Sequence, residues 1–474
     1  MTETRAAMRT GTRSLLAIVG FLAAVELASG VLQGYYTPIF TDIARHLGIS
    51  DGDVNWFEAA QLIVSALCVP FLARLGDIIG HKKVLLLSTA ITAVGSWVMA
   101  LAPGFTTFLI GSALQGAYVV WLPLEVAIIY RRTANAPNQN QLTRRSAAIL
   151  VFALELAVII GALTSGLLVE KTSMAMLLAI PALVVTLCLL VIQFGIEDIP
   201  GDPDGRIDWT GLALLTGALG LVMAGLVTIR LQGPASVLAW GLVVAGVAAL
   251  VPFWRYEAAH DEPIVDVKLL ATRGQWPVQL TAALFGMSVL GAQIPLSTFV
   301  RTDPAVGYGL GADAAFVSTL IGLYVISLAL GALALPLWTR LLGVRGGLIL
   351  ACLLVAVGYA LWLPFHDTTG QALTNMAIAG FGSGSLVAAL PAAAAAAAPP
   401  NRTSFATGMT NGTKTIGGAI ASSIFAIALS ATGSLEGPAE GHAPLSGYLT
   451  VWGVCAAAAL VAAVALLAWP RTAD

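Results

Sequence analysis

LARLGDIIGHKK, residues 72–83, is a charged interruption between two apolar runs, 54–73 and 83–102. Its residue types suit a short turn at a membrane surface. Gly80 lets the chain reverse tightly. Asp77 can cap a helix N-terminus or pair with a cation. Lys82 and Lys83 hold the turn out of the hydrocarbon. A second stretch of the same kind, TRLLGVRGGLIL, stands at 339–350, between the tenth and eleventh apolar runs. Crossing a bilayer takes roughly 20 apolar residues as a helix. Lipid offers no partner to backbone amides, so such runs must satisfy their own hydrogen bonds. The fold class is therefore an all-α membrane protein.

Composition agrees. Of 474 residues, 58% are hydrophobic and 10% charged, against about a quarter charged in soluble domains. Fourteen candidate spans are legible: 14–40, 54–73, 83–102, 105–130, 147–169, 174–196, 209–229, 235–254, 276–300, 312–338, 346–365, 372–397, 404–430 and 446–469. With the N-terminus inside, eighteen of the 23 lysines and arginines fall on the inner side and four on the outer, with Lys414 inside a helix. That asymmetry predicts a multi-pass protein of a bacterial cytoplasmic (inner) membrane with both termini cytoplasmic. The first span is full-length and lacks a small-residue cleavage site, so it reads as a retained helix. The net charge of −2 gives no sign of nucleic-acid binding. Cys68, Cys188, Cys352 and Cys455 lie in apolar segments without metal-ligand spacing and read as buried thiols.

The two basic turns suggest two halves of six helices each, as in transporters built from repeats. The expected division is a first bundle over 1–196, a linker with two inserted helices over 197–275, and a second bundle over 276–474. The polar stretches EDIPGDPDGRID (197–208) and RYEAAHDEPIVDVK (255–268) flank the inserted pair.

Residues 72–83 resemble the loop signature of the major facilitator superfamily, G-x-L-x-D-R-x-G-R-K/R-K/R. Leu75, Asp77, Gly80, Lys82 and Lys83 match, while Ala73, Ile78 and His81 depart. The resemblance implies the major facilitator fold, with this loop latching one bundle against the other. Fourteen spans, the sequences around the inserted pair and MTNGTKTIGGAIA (409–421) are similar to the drug:proton antiporter branch. LIGSALQGAYVV (109–120) resembles its fourth-helix motif R-x-x-Q-G: Gln115 and Gly116 match, and Ser112 replaces the arginine linked to proton coupling. ALELAVIIGALTSG (153–166) resembles its fifth-helix motif G-x-x-x-G-P-x-x-G-G: Gly161 and Gly166 match, and Ala162 replaces the proline. The small residues still allow close helix packing.

Four glutamates fall within spans: Glu26, Glu58, Glu125 and Glu155. An ionised group at the bilayer centre costs several kcal/mol, so each must face a cavity, find a partner or carry a proton. Glu26 and Glu155, midway along their helices, are the expected proton- or cation-binding acids. Glu125, near basic residues, has structural and functional readings of equal weight. Glu58 lies near a helix end, where water reaches it. Lys414, usually basic in this branch, is expected to pair with one of the four. Gln33 shares a face of the first helix with Glu26, and Tyr118, Trp121 and Glu125 share a face of the fourth. Gln33, Tyr118, Trp121 and Gln293 are the candidates for contact with substrate.

The expected function is secondary active transport by alternating access. Protons exchange for lipophilic drugs or metabolites, cationic ones included, which leave the cell. The proton gradient supplies the energy, with no cofactor and no metal, and the resemblance implies a monomer. A proton symporter, or a carrier of lipids or specialised metabolites, is the alternative. No HExxH, phosphate loop or nucleophile elbow points to an enzyme.

Overall fold

Every long apolar run is a helix. The computed structural model describes residues 2–134, 136–198, 201, 207–260, 263–399, 402–430 and 442–470. Residues 199–200, 202–206 and 261–262 of the polar stretches lie outside the described residues.

The first half holds α1 (Thr2–Tyr35), α2 (Asn55–Ile79), α3 (His81–Ala100), α4 (Phe105–Arg132), α5 (Gln139–Leu168) and α6 (Met174–Gly195). A 3-10 turn at Thr37–Ile39 joins α1 to a further helical stretch, Phe40–Leu47; Pro38 sits in that turn. A 3-10 stretch at Gly116–Val120 interrupts α4. The inserted pair is α7 (Trp209–Gln232) and α8 (Val237–Ala259). Then follows α9 (Trp276–Arg301), broken between Val289 and Gln293. The 47-residue helical run Ala314–Ala360 turns at Gly343 (φ 71°) and is two helices, α10 (314–342) and α11 (344–360). The chain ends with α12 (Thr369–Ala396), α13 (Thr403–Ser430) and α14 (Leu445–Ala465). Among the described residues thirteen helical runs are long and apolar enough to cross a membrane; the longest, divided at Gly343, makes fourteen helical segments, the number the sequence predicts.

One expectation needs correction. The 72–83 stretch is not a loop. α2 runs to Ile79 and α3 starts at His81, so Gly80 alone leaves the helical conformation, at φ 105°. Gly343 is its counterpart in the second half. Both φ values are ones a side chain rarely adopts, which is why glycine stands there. Asp77 therefore caps no helix N-terminus. It lies in the last turn of α2, with His81 Nε2 at 3.3 Å and Arg131 Nη2 of α4 at 3.7 Å. Lys82 Nζ donates to the Gln193 carbonyl (3.0 Å), and Lys83 stands 3.7 Å from Asp198.

By packing, the chain divides into two units: Met1–Tyr36 with Cys68–Ile207, and Thr37–Leu67 with Asp208–Asp474. The boundary differs from a cut by sequence at 196 and 275. The second unit takes both the inserted pair and the segment 37–67, which includes the first part of α2.

The same pairings recur in each unit. α1 packs on α5 as α9 packs on α13; α3 packs on α6 as α11 packs on α14. Glycines set the spacing. A Cβ at Gly30 would lie 2.6 Å from Ala157 Cβ and 3.0 Å from Val158 N; one at Gly34 would lie 2.8 Å from the Val158 carbonyl carbon. In the second unit, a Cβ at Gly286 would meet the Lys414 backbone and one at Gly417 that of Ala283. Helices in lipid associate by such close backbone approach, because burying apolar surface gains nothing there. Gly34→Val should therefore destabilise by about 3 kcal/mol, the upper end for overpacking. Gly20→Ala, with nothing within 4 Å of its Cβ, should be neutral. Thermal melting of the purified variants checks the contrast.

Large aliphatic and aromatic side chains cover the helix exteriors. Val237 is 86% and Phe194 83% exposed. In water such a surface would aggregate; in lipid it is the solvated face.

Candidate functional site

α1 and α4 are neighbours in the first unit. On α1, Glu26, Ser29 and Gln33 recur at i, i+3, i+7, one face of a helix. On α4, Tyr118, Trp121 and Glu125 recur with the same spacing. The two faces meet at Glu26 and Glu125, whose carboxyl groups are direct neighbours.

Both glutamates are fully buried. None of their four oxygens receives a hydrogen bond, and among the described residues neither glutamate has an ion-pair partner. The Ser29 hydroxyl, beside Glu26, is the neighbouring donor. The two carboxyl groups can bond each other only with a proton between them. Coulomb repulsion between like charges about 4 Å apart is about 4 kcal/mol even at an effective dielectric constant of about 20. Two carboxyl groups so placed do not both ionise at once.

The surroundings are apolar and aromatic. Cys188 of α6, buried, stands beside the pair. Trp121, fully buried, meets Tyr118 edge to face, with ring centroids 6.0 Å apart. Its indole N–H has no partner. Ser29 stands beside Glu26 and accepts from Gln33 Nε2 at 3.4 Å. Gln33 is exposed and Tyr118 buried. The result is a strip of polar groups inside one unit, buried at the carboxyl end.

The other candidate residues lie as follows. Glu155 is half-buried on α5. Glu58 lies in the second unit, where Ser422 Oγ of α13 donates to its Oε2 at 3.3 Å. One turn along, a Cβ at Gly418 of α13 would stand 3.1 Å from Leu62. Lys414 lies one turn further, half-buried. Gln115 is structural: its Nε2 donates to Tyr36 Oη (3.1 Å) and Ser96 Oγ (3.0 Å). Ser112, in the place of the motif's arginine, is buried and donates to the Phe108 carbonyl. Gly161 faces Val31 of α1, where a Cβ would stand 3.3 Å from Val31 Cα; Ala162 and Gly166 are buried. Gln293 Nε2 turns back to the Val289 carbonyl at the break in α9 (2.8 Å). Cys68, Cys188, Cys352 and Cys455 are free thiols. No cluster of histidine, cysteine or carboxylate among the described residues is arranged to hold a metal ion.

Sequence reasoning missed two ion pairs in the second unit. Arg301 Nη2, at the end of α9, donates to both carboxylate oxygens of Asp42 at 2.8 and 2.9 Å. His442 Nδ1 stands 3.1 Å from Asp51 Oδ2. The only signal for either was a charge at the end of an apolar run.

The bond to Asp51 pushes the His442 imidazole above its ordinary range, against a smaller opposing effect of burial. A raised histidine contributes stability that is complete below its ordinary value, about 6.5. That stability is lost as pH rises through the folded value. Asp51→Asn should therefore cost about 1 kcal/mol at acid pH and nothing well above neutrality. Melting temperatures of the two proteins across pH test this.

A model of the Major Facilitator Superfamily matches residues 16–211. A uridine/deoxyuridine transporter of Lactococcus lactis subsp. cremoris is 25% identical over 312 residues, 65% of this chain and 64% of that protein. The chain therefore spans a little under two thirds of that relative's length. The cephamycin export protein CmcT of Amycolatopsis lactamdurans is 24% identical over 93% of this chain and 91% of its own. Among solved structures, an auto-inhibited peptide transporter of the POT family superposes with a TM-score of 0.66 at 16% identity, covering 98% of both chains. At that identity the likeness concerns the fold.

Proposed function

We propose that this chain, a member of the major facilitator superfamily, is a proton-coupled exporter of lipophilic drugs or metabolites, cationic ones included. Membership makes it a multi-pass membrane protein and a secondary transporter of a small molecule. The finer reading rests on one observation, the buried Glu26–Glu125 pair, which has no counter-ion among the described residues.

Such a pair is a proton carrier. Loaded with one proton, it is a hydrogen-bonded unit that carries a single negative charge. Unloaded, it holds two facing charges that the site does not solvate. Release of the proton therefore requires water or a cation to reach it. An incoming cationic substrate supplies that charge, so proton and substrate exclude each other. Mutual exclusion at one site is what exchange requires. Gln33, Tyr118 and Trp121, on the same two faces, supply polar and aromatic surface for an amphipathic ligand. The export protein for cephamycin, similar along nearly the whole chain, supports the outward direction. Localisation to the cytoplasmic membrane with both termini inside follows from the loop charges and belongs to the same proposal, as does a monomer working without a cofactor.

Proteoliposomes loaded with a fluorescent lipophilic cation and given an imposed pH gradient test the reading. The expected result is cation movement against the proton flow, abolished when the gradient is collapsed. Movement in the same direction as protons would make the protein a symporter. Indifference to the gradient would remove proton coupling altogether.

A further inference from the structure

A second pair of carboxyl groups lies where the inserted helices α7 and α8 meet the chain that follows them. Asp208 is the N-cap of α7. Its Oδ1 accepts from the Gly211 amide (2.8 Å) and from the Tyr256 hydroxyl of α8 (2.9 Å). Glu257, near the end of α8, accepts the Val265 amide on Oε2 (3.0 Å). This bond ties the segment after α8 back onto the helix. Beneath it Leu215, Phe253, Val265 and Val267 form a buried cluster.

The remaining oxygens, Asp208 Oδ2 and Glu257 Oε1, are both buried and receive no hydrogen bond. The two side chains are about 3% and 2% exposed. Both oxygens converge on one point. A Cβ built on Gly211 would collide with Glu257 Oε1 and lie 2.5 Å from Asp208 Oδ2. Among the described residues, His260, Asp266 and Arg402 are the charged and titratable groups near the pair. His260 Nε2 stands 4.0 Å from Asp208 Oδ2, beyond hydrogen-bond reach, and its ring stacks on Tyr256 at 5.2 Å. Asp266 and Arg402, on the following segment and α13, face each other at 3.7 Å. No metal-binding arrangement is present among the described residues. Two carboxylate oxygens facing each other with no donor between them are as costly here as in α1 and α4.

We propose that Asp208 and Glu257 bind one proton between their facing oxygens, forming a second buried proton site that fastens the segment 263–267 to the inserted pair. Among the described residues, His260, about 39% exposed and 4.0 Å from Asp208 Oδ2, connects the pair to solvent and is the route by which the proton is exchanged. With the proton bound, each carboxyl keeps its accepted bond and the two are joined. Without it, the facing charges repel, and Glu257 loosens its hold on Val265. The docking of the inserted helices thus responds to pH. The site shares no residue with the Glu26–Glu125 pair and stands or falls apart from it.

The test uses the full-length purified protein, with Asp208→Asn and Glu257→Gln. In each variant the amide N–H replaces the proton and the amide oxygen keeps the accepted bond. The site binds a proton when folded that the unfolded chain releases, so stability falls as pH rises above the ordinary carboxyl range. Between about pH 5 and about pH 8 the wild type should lose stability with a slope about one proton steeper than either variant. Its infrared spectrum should show a buried carboxylic acid carbonyl that is missing from both. If one variant does not fold, the other carries the test, since either amide supplies the joining bond. An unchanged slope and an unchanged band in a folded variant overturn the proposal. So does a wild-type melting temperature that rises with added divalent metal and loses that rise in Asp208→Asn, which would make the site a metal site.

Discussion

Glu26→Gln and Glu125→Gln should each reduce gradient-driven transport at least tenfold and leave gradient-independent counter-flow largely intact. Neither carboxyl of the pair has a counter-ion among the described residues. Repulsion of about 4 kcal/mol between the ionised forms corresponds to roughly three powers of ten in their relative populations. A glutamine at either position donates a permanent N–H to the remaining carboxylate. The pair then resembles its loaded state at every pH and cannot discharge. Binding and reorientation of substrate persist, which is why counter-flow survives, but the drive is lost. Glu155→Gln, at a half-buried position outside the pair, is the comparison and should retain more activity than either. Full gradient response in folded Glu26→Gln or Glu125→Gln would sink the assignment. The double variant should be no worse than the single ones, because the two groups act as one site.

Arg301→Ala should destabilise the protein by about 3 kcal/mol, the low end for breaking a buried ion pair from one side. Arg301 and Asp42 have side chains only 9% and 16% exposed, and the guanidinium reaches both carboxylate oxygens. Removing the cation leaves Asp42 largely desolvated, with only Arg45 nearby at 3.5 Å and mostly exposed. The cost therefore comes from the stranded carboxylate more than from the lost attraction. Asp42→Asn combined with Arg301→Gln should recover most of the loss, since two neutral amides bond each other without a buried charge. Thermal melting in detergent measures all three. If Arg301→Ala melts with the wild type, the pair is an incidental contact. If the double amide variant is as unstable as Arg301→Ala, shape rather than charge governs the site.

Much of the fold can be read in the chain because lipid makes local sequence decisive. A run of about twenty apolar residues has one way to satisfy its backbone, so α1 to α14 were legible as segments. The basic turns at 74–83 and 339–350 were legible as repeats, and Gly80 as a point of reversal, because a tight turn needs a conformation that glycine adopts freely; which glycine of 339–350 does the same was not. How little of 72–83 is loop was not legible. Helix propensity and packing carry α2 through the polar residues to Ile79, and a hydropathy boundary cannot see this.

The faces were also legible: Glu26, Ser29 and Gln33 on one helix, and Tyr118, Trp121 and Glu125 on another. Periodicity shows which residues share a face and is silent on which faces meet. Glu26 and Glu125 are far apart in sequence, and the sequence reading placed the second proton site at Glu155. Only the packing of α1 beside α4 brings Glu125 to Glu26, with Gly30 and Gly34 placing α1 close against α5. The same holds for Asp208 and Glu257, each read as part of a solvated linker. The sequence by itself determined what crosses the membrane, because burying a backbone in lipid is a local problem. The tertiary structure decided which buried acids meet, because that depends on distances between helices that no local pattern encodes.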